Sequence, residues 1–214
     1  MTLVCFAVKA EARPFQQLAR SRLQVETLLT GIGPRNADRA IRAALNGRKP
    51  TAVLSCGFAG GLRPELAGGT IVFAADKATG WEPALLAAGA YPARFHGAER
   101  VATTAQQKRA LWQATGADAV EMESQAIQEV CREEGIPSAI VRVILDTTDE
   151  DLPLDFNQLL TADQQLDNSR LALALLKSPG KVSALLRLRQ QSHTAAEKLA
   201  QVLVCLLFGR DDRR

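Results

Sequence analysis

The chain has 214 residues, of which 47% are hydrophobic and 23% are charged. This length suits one large α/β domain with a full core better than two separate domains. The formal net charge of +3 is too small to indicate a nucleic-acid partner. No apolar run reaches the length of a membrane span, and Met1 leads into a strand-like run without the features of a signal peptide, so we expect a cytoplasmic protein.

The cysteines and histidines give no sign of a metal site or a disulfide. The four cysteines form no CxxC pair and each lies within an apolar run, which predicts buried free thiols. The histidines, His96 and His193, are far apart, which argues against a zinc site or a Ser-His-Asp triad. The cysteines are Cys5, Cys56, Cys131 and Cys205.

The first half of the chain predicts alternating strands and helices, an order typical of an α/β sheet. Pro14 fits the first turn of the first helix, and Gly31-Ile32-Gly33-Pro34 leads into the second. The glycine-rich run 57–61 is expected as a turn after a buried strand. Predicted strands cover residues 3–8, 23–29, 52–56 and 70–75, and predicted helices cover 12–20 and 35–45.

The second half begins with a segment of weak pattern, residues 76–100, which is rich in Ala, Gly and Pro and predicts a loop with a short helix. Further on, a helix is expected to open on Glu121 and Glu123, and a buried strand after it ends at Asp146. The predicted elements are a helix at 83–88, a strand at 100–104, helices at 105–113 and 121–134, a strand at 138–146, and a helical tail from about 163 with a break at 178–180.

Charge is unevenly distributed over the last third of the chain. Residues 143–169 contain seven acids and no base, whereas residues 177–214 contain eight bases and three acids. A solvated surface is the simpler interpretation of both blocks. The alternative is a basic helical face, carrying Lys181, Arg187 and Arg189 beside leucines, that makes weak contact with an anionic partner or a membrane surface.

Carboxylates are the strongest functional signal in the sequence. Glu121 and Glu123 at a helix start and Asp146 at the carboxyl end of a buried strand fall at the edge where open α/β sheets bind ligands. One acid could hold a polyol while another supplies a proton. The glycines of 57–61 could admit a ligand to backbone amides, although such turns are common. Because Asn36 stands where GxGxxG requires its third glycine, a dinucleotide site is not expected.

Five segments, taken in order, resemble the nucleoside phosphorylase/nucleosidase superfamily, especially its methylthioadenosine/S-adenosylhomocysteine nucleosidase branch. The Val-Glu-Met-Glu run at 120–123 with its downstream acid is the most specific of them. The resemblance spans roughly residues 1–150 and implies a single-domain, three-layer α/β sandwich with a central mixed sheet, a helical C-terminal extension and a homo-oligomer. The segments are Ala7 to Glu11, Gly31 to Gly33, Gly57 to Leu62, Ala119 to Ser124 and Val141 to Asp146.

A second resemblance is to the hopanoid-associated phosphorylase-like proteins. It is carried by Lys108 to Leu111, by Ala114 to Ala117, and by the tail after Leu152-Pro153. This match would extend through almost the whole chain.

The resemblance also implies a role for each candidate residue. Asp146 would protonate or hydrogen-bond the leaving purine at N7, and Glu11 would orient or deprotonate the attacking water. Glu123 would accept hydrogen bonds from the ribose hydroxyls, with Arg142 behind it and Met122 packed on the ribose. The purine is expected to stack near residues 103–106. The further substrate-binding residues implied are Glu121, Phe58, Ala59, Gly60 and Gly31.

The resemblance further implies an N-ribosyl hydrolase that frees the base of a 5′-substituted, adenosine-type purine nucleoside, without a cofactor or metal. Phosphate remains an alternative co-substrate: Glu11 would repel it, although Arg13 and Arg35 are available. A phosphorylase acting on an adenosylhopane-type lipid and a non-catalytic purine-binding protein also stay open as functions. Leu145, Phe58 and the short segment 76–100 depart from the family pattern.

Overall fold

A central sheet with helices on both faces organises the protein, as a computed structural model describes it for residues 1–20, 22–161 and 179–209. The strands are β1 (Thr2–Phe6), β2 (Val25–Leu29), β3 (Ala52–Gly61), β4 (Ile71–Ala75), β5 (Tyr91–Pro92), β6 (Phe95–Gly97), β7 (Ala119–Glu121) and β8 (Ser138–Asp146). The helices are α1 (Lys9–Leu18), α2 (Pro34–Leu45), α3 (Glu82–Ala87), α4 (Ala105–Thr115), α5 (Ser124–Glu133), α6 (Phe156–Leu159) and α7 (Val182–Phe208).

The sheet is mixed, as expected. Its main path runs β2-β1-β3-β8-β4-β5, in which β1, β2, β3 and β8 are parallel and β4 is antiparallel to β8. Strand β7 pairs antiparallel with the end of β3, and β6 pairs parallel with β7. The parallel strands β1, β3 and β8 therefore end at one edge, and β7 closes against that edge.

The side chains of alternate strand residues pack into two apolar cores, one on each face of the sheet. On one face Val4 and Phe6 pack with α1 and α7, whereas on the other face Leu3 and Cys5 pack with α2 and α5. This arrangement confirms the three-layer α/β architecture. Of the helices in the described residues, none combines the length and the apolar character needed to span a membrane.

The glycine-rich run 57–61 is not a turn, and that prediction was wrong. These residues continue β3 and pair with β8, from Gly57 opposite Arg142 to Gly60 opposite Asp146. A glycine is required at position 57 because a Cβ there would lie 2.6 Å from both Arg142 Nη1 and Glu11 Oε1. Glycine is therefore needed at position 57 because two charged side chains approach the backbone there, whereas at Gly60 and Gly61 the nearest atoms belong to Val120 and Ile144.

The helix predicted to open on Glu121 begins later, at Ser124, because residues 119–121 form strand β7. The strand predicted at 100–104 is also absent. There the Val101 and Thr103 N–H groups bond to side-chain oxygens, those of Asn157 and Gln107, in place of a neighbouring strand. Side-chain acceptors therefore compete with sheet pairing in this segment.

Three smaller predictions also need correction. Pro14 lies inside α1 and not in its first turn, since the helix already begins at Lys9. The short helix expected at 83–88 is present as α3, but the rest of the segment 76–100 is more than a loop, since it contains a 3₁₀ turn at Lys77–Thr79 and two short strands. Cys205 is exposed, although the remaining three cysteines are buried free thiols as expected. Helix α7 follows the predicted break at 178–180, whereas the helix expected over 163–178 lies outside the described residues.

Candidate active site

A cavity of about 350 Å³ lies at the sheet edge where β1, β3 and β8 end. Strand β1 leads into it through Ala7 and Val8, strand β3 contributes Phe58 to Gly60, and the junction of β7 with α5 contributes Val120 to Glu123. Asp146, the last residue of β8, completes this side. The cavity therefore occupies the position at which open α/β sheets bind ligands.

Three carboxylates predicted from distant parts of the sequence converge on this cavity. Glu11, Glu123 and Asp146 all line it, and Glu11 and Glu123 are buried. Buried acids without partners are costly. The surroundings of each carboxylate therefore indicate what it can do.

Glu11 is held by backbone N–H groups. It occupies the third position of α1, so its carboxylate reaches back to the loop between β1 and the helix, as in a capping box. Its Oε2 accepts hydrogen bonds from Ala7 N at 3.0 Å and Val8 N at 3.2 Å, and Oε1 accepts one from Phe58 N at 2.9 Å. Burial raises the pKa of Glu11, and Arg142 and these N–H groups oppose the shift.

Glu121 forms a buried ion pair with Arg142 below the cavity floor. Arg142 Nη2 donates to Glu121 Oε2 at 2.7 Å, and the same oxygen accepts the N–H groups of Glu123 at 2.9 Å and Ser124 at 2.7 Å. Arg142 also donates to Ser124 Oγ at 2.9 Å and Ser55 Oγ at 3.2 Å. Glu121 lines the cavity, but Oε2 is fully engaged in fixing the start of α5. Arg142 is not among the lining residues.

Glu123 is oriented by the glycine loop that follows β2. Its Oε1 accepts a 2.8 Å hydrogen bond from Gly33 N, and its Oε2 lies 3.4 Å from Arg142 Nη2. Burial raises the pKa of Glu123 to about 7, with Arg142 opposing the shift and Glu121 adding to it. Gly31, predicted as a site residue, does not line the cavity, whereas its neighbour Ile32 does.

Asp146 is paired with a lysine to which the sequence analysis assigned no role, although Lys108 begins a segment of the second resemblance. Lys108 of α4 is fully buried, and its ammonium forms an ion pair with Asp146 Oδ2. Burial raises the pKa of Asp146, and Lys108 opposes the shift. The available signal was the periodicity of α4, in which Lys108 occupies the buried face beside Ala105.

The remaining walls of the cavity are mostly apolar and come from distant segments. The purine was expected near residues 103–106, but residues 100–102 line the cavity and Thr103 bonds to Gln107. The residues absent from the predicted site are Ala7, Val8, Ile32, Arg100, Val101, Ala102, Val120, Leu145, Leu152, Phe156, Leu188 and Ser192. Ala7, Val8, Ile32, Val120 and Leu145 lie in segments that carry the family resemblance, whereas no local motif identifies the others.

Few groups suited to an anion or a metal face the cavity. Arg13 and Arg35 are both exposed and do not line it, and Arg100 at the rim is the one cationic lining residue among the described parts of the chain. Within those same parts, His, Cys, Asp and Glu form no cluster of three or more placed to hold a metal ion.

Known proteins share this architecture. A curated 5′-methylthioadenosine/S-adenosylhomocysteine nucleosidase of Glaesserella parasuis is 29% identical over 189 residues, which cover 72% of this chain and 81% of that protein. The structure of the Campylobacter jejuni enzyme of that name has a TM-score of 0.70 at 14% identity, covering 96% of this chain and 97% of that one. Native futalosine hydrolase of Helicobacter pylori has a TM-score of 0.69 at 14% identity, with 96% of both chains covered.

The two solved structures are similar to this chain in fold, and at 14% identity they carry no more than the fold. The family is established by a sequence model instead. The model described as the phosphorylase superfamily matches residues 17–99 and 93–177, which together make up most of the sequence. The chain belongs to the phosphorylase superfamily.

Proposed function

We propose that the protein is an N-ribosyl hydrolase that releases the free base from a purine nucleoside of adenosine type. The observation that carries the proposal is the convergence of Glu11, Glu123 and Asp146 on one cavity of about 350 Å³. Cleavage of an N-ribosidic bond builds positive charge on the sugar and negative charge on the departing base. The three carboxylates supply the groups that such a reaction needs at the base, the sugar and the water.

Asp146 is the proposed acid at the base. It lies at the cavity surface, with its side chain 13% exposed, so a bound purine can reach its carboxyl group. Its raised pKa keeps a larger fraction protonated near neutral pH than an exposed aspartate would have. A proton or hydrogen bond given to N7 would stabilise the departing base as the glycosidic bond breaks.

Glu11 is the proposed base for water. An ionised carboxylate offers about four lone-pair sites, and the three backbone N–H groups that bond to Glu11 leave one of them open. A water molecule at that site would donate to Glu11 and be directed toward the sugar. The raised pKa of Glu11 suits a group that accepts a proton during the reaction.

Glu123 and Met122 form the proposed ribose site. Each Glu123 oxygen has one neighbour from the protein, Gly33 N or Arg142 Nη2, which leaves acceptor capacity for two hydroxyl groups. Met122 lines the same region and offers an apolar thioether surface to the sugar. A diol bound in this way would fix the position of the anomeric carbon between Glu11 and Asp146.

Hydrolysis is favoured over phosphorolysis because the place proposed for the nucleophile is acidic. Glu11 lies there, whereas Arg13 and Arg35 lie outside the cavity and Arg100 lies at the rim. A phosphate dianion would meet a carboxylate without a compensating cation. We therefore assign water as the nucleophile in a cytoplasmic enzyme that needs no cofactor.

The substituent at the ribose 5′ position is proposed to be apolar. Five large apolar side chains line the cavity, those of Phe58, Leu145, Leu152, Phe156 and Leu188. A methylthio group would bury its surface against these side chains, as the name of the Glaesserella parasuis relative suggests. The same walls favour a second candidate, a nucleoside that carries a larger hydrocarbon, such as an adenosylhopane-type lipid.

The test is to incubate the protein with methylthioadenosine or adenosine, with and without phosphate. Chromatography then measures the release of adenine. Free ribose sugar and adenine in equal amounts without phosphate would support hydrolysis. A strict need for phosphate, with a ribose 1-phosphate product, would identify a phosphorylase. Tight binding with unchanged substrate after long incubation would indicate a binding protein, and full activity in Asp146→Asn would contradict the assigned acid.

A further inference from the structure

The proposed reaction assigns no role to Lys108, although this residue contacts the proposed acid. Its side chain is fully buried, and its ammonium group bonds to Thr147 O at 2.8 Å and Glu150 O at 2.6 Å besides pairing with Asp146. The two carbonyl oxygens accept hydrogen bonds, and the Asp146 carboxylate supplies the ion-pair partner. The ammonium group is therefore held on several sides, and Lys108 does not line the cavity.

Helix α4 is built to hold this lysine in place. Thr104 caps the helix through Gln107 N at 3.2 Å, and the Ala105 N–H donates to Asp151 Oδ1 at 2.7 Å. On the outer side of the same helix, Arg109 Nη1 bonds to Asp149 Oδ1 at 2.7 Å. The start of α4 is thus fastened to the turn 147–151, and Asp146 lies between this turn and the cavity.

We infer that Lys108 is a positioning residue that sets the ionisation of Asp146, and through it the pH range in which the proposed acid carries a proton. The inference rests on the proposed function for its catalytic consequence, although the ion pair exists without it. A buried carboxylate loses hydration, and a cation in direct contact restores much of the lost stabilisation. The Asp146 carboxyl group can contact a ligand in the cavity, while its Oδ2 contacts the Lys108 ammonium group, which lies outside the cavity.

Several more charged groups face Asp146, and none of them replaces Lys108. Glu150 belongs to the turn that the lysine holds, and its charge disfavours the ionised form of Asp146. Arg142 is already engaged by Glu121. The further charged residues that line the cavity are Glu11, Arg100, Glu121 and Glu123, and no hydrogen bond or ion pair within the described residues joins them to Asp146.

The experiment compares Lys108→Met, which is apolar and similar in length, and Lys108→Gln, which keeps a neutral donor, with the wild-type chain. Arg109→Met is the matched control, because it removes a cation and a bond to the same turn without touching Asp146. Aspartate-selective ¹³C labelling reports the titration of the Asp146 carboxyl carbon, assigned by its loss in Asp146→Asn. The labelling leaves the surrounding glutamates silent, and the measurement needs no turnover.

Both Lys108 variants are expected to raise the midpoint of the Asp146 titration by about one to three pH units, and Arg109→Met is expected to leave it in place. The alkaline limb of kcat/KM for the nucleoside should move upward by the same amount. An unchanged midpoint in Lys108→Gln would overturn the inference even in an active enzyme, as would a uniform loss of kcat/KM with unshifted limbs. A shifted midpoint in a protein that releases no adenine would support the effect of Lys108 on the ionisation of Asp146 and would contradict the proposed reaction.

Discussion

The Gly33 amide donates a 2.8 Å hydrogen bond to Oε1 of Glu123, so the loop after β2 fixes the carboxylate that we assign to the ribose. Gly33 adopts φ +87°, a conformation that only glycine takes readily, and it comes directly before Pro34 at the start of α2. Gly33 thus acts on the site from outside the cavity. The contact that the structure shows for its N–H group is with the carboxylate of Glu123.

Replacing Glu123 with Gln should reduce kcat/KM for the nucleoside by about 10² or more, because an amide is a weaker acceptor for the ribose hydroxyls. The effect should be much smaller for a substrate analogue that lacks the 2′ and 3′ hydroxyl groups. Steady-state kinetics with the two substrates measures the difference. Equal losses for both substrates would contradict the ribose assignment.

Glu123→Gln should also change how the free energy of unfolding depends on pH. The pKa of Glu123 is raised to about 7 in the folded protein, so the folded state holds a proton that the unfolded chain releases above about pH 4.5. Wild-type stability should therefore fall relative to Glu123→Gln as the pH rises from about 4.5 to about 7, and the difference should stay constant above that. Urea unfolding of both proteins over this range checks the sign, and a difference that does not change with pH would contradict it.

Gly57→Ala should strongly destabilise the fold and abolish activity. The added Cβ would lie 2.6 Å from both Arg142 Nη1 and Glu11 Oε1, at a φ of +144°. We expect a loss of about 3 kcal/mol or more in the free energy of unfolding, as for overpacked and strained sites in general. Gly47→Ala is the control, because its φ is +74° and nothing lies within 4 Å of its added Cβ. Similar losses in the two variants would show that strain, and not the charged pair, explains the glycine.

Arg142→Met should leave the Glu121 carboxylate buried without its cation. Breaking a buried pair from one side costs about 3–5 kcal/mol, and Arg142 is 1% exposed. Arg42→Met removes an exposed pair with Glu133 and should have little effect on stability. Chemical denaturation of both variants gives the comparison, and a small loss in Arg142→Met would contradict the cost expected for breaking this buried pair.

Leu188→Ala should change substrate preference more than it changes the chemistry. Leu188 of α7 lines the cavity, whereas Leu186 on the same helix is 59% exposed. Losing the contact should lower kcat/KM for methylthioadenosine about 10-fold with a smaller effect on adenosine. Leu186→Ala should match the wild type for both substrates. An equal reduction for the two nucleosides in Leu188→Ala would place the 5′ group elsewhere.

The sequence predicted the parts of the protein that local pattern determines. Apolar segments indicated the strands, and Asp146 at a strand end with Glu123 near a helix start indicated the sheet edge, whereas Glu11 was proposed from the family resemblance. The extension of β3 through Gly57–Gly61 was missed because glycine propensity indicates a turn, whereas pairing with β8 overrides it. A glycine in a sequence can mark a place where another group approaches the backbone closely as well as a turn.

The unpredicted features of the site all depend on tertiary contacts. A lysine on an amphipathic helix is normally exposed, so the ion pair of Lys108 with Asp146 had no signal apart from its place in the helical period. Leu188 comes from a segment far along the chain from the carboxylates, whereas Leu152 and Phe156 follow Asp146 in a segment without a strong pattern. Residues that share only a place on the cavity wall have no fixed spacing in the sequence by which they could be predicted.

Helix α7 packs in the core with α1, and it also places Leu188 and Ser192 against the cavity. The carboxylates assigned to the proposed reaction, in contrast, all belong to the sheet edge and the elements directly joined to it. Under that proposal, α7 would contribute to substrate selection together with Phe58 and Leu145 of the sheet. Substitutions at Leu188 or Ser192 would then alter the choice of nucleoside without replacing any of these carboxylates.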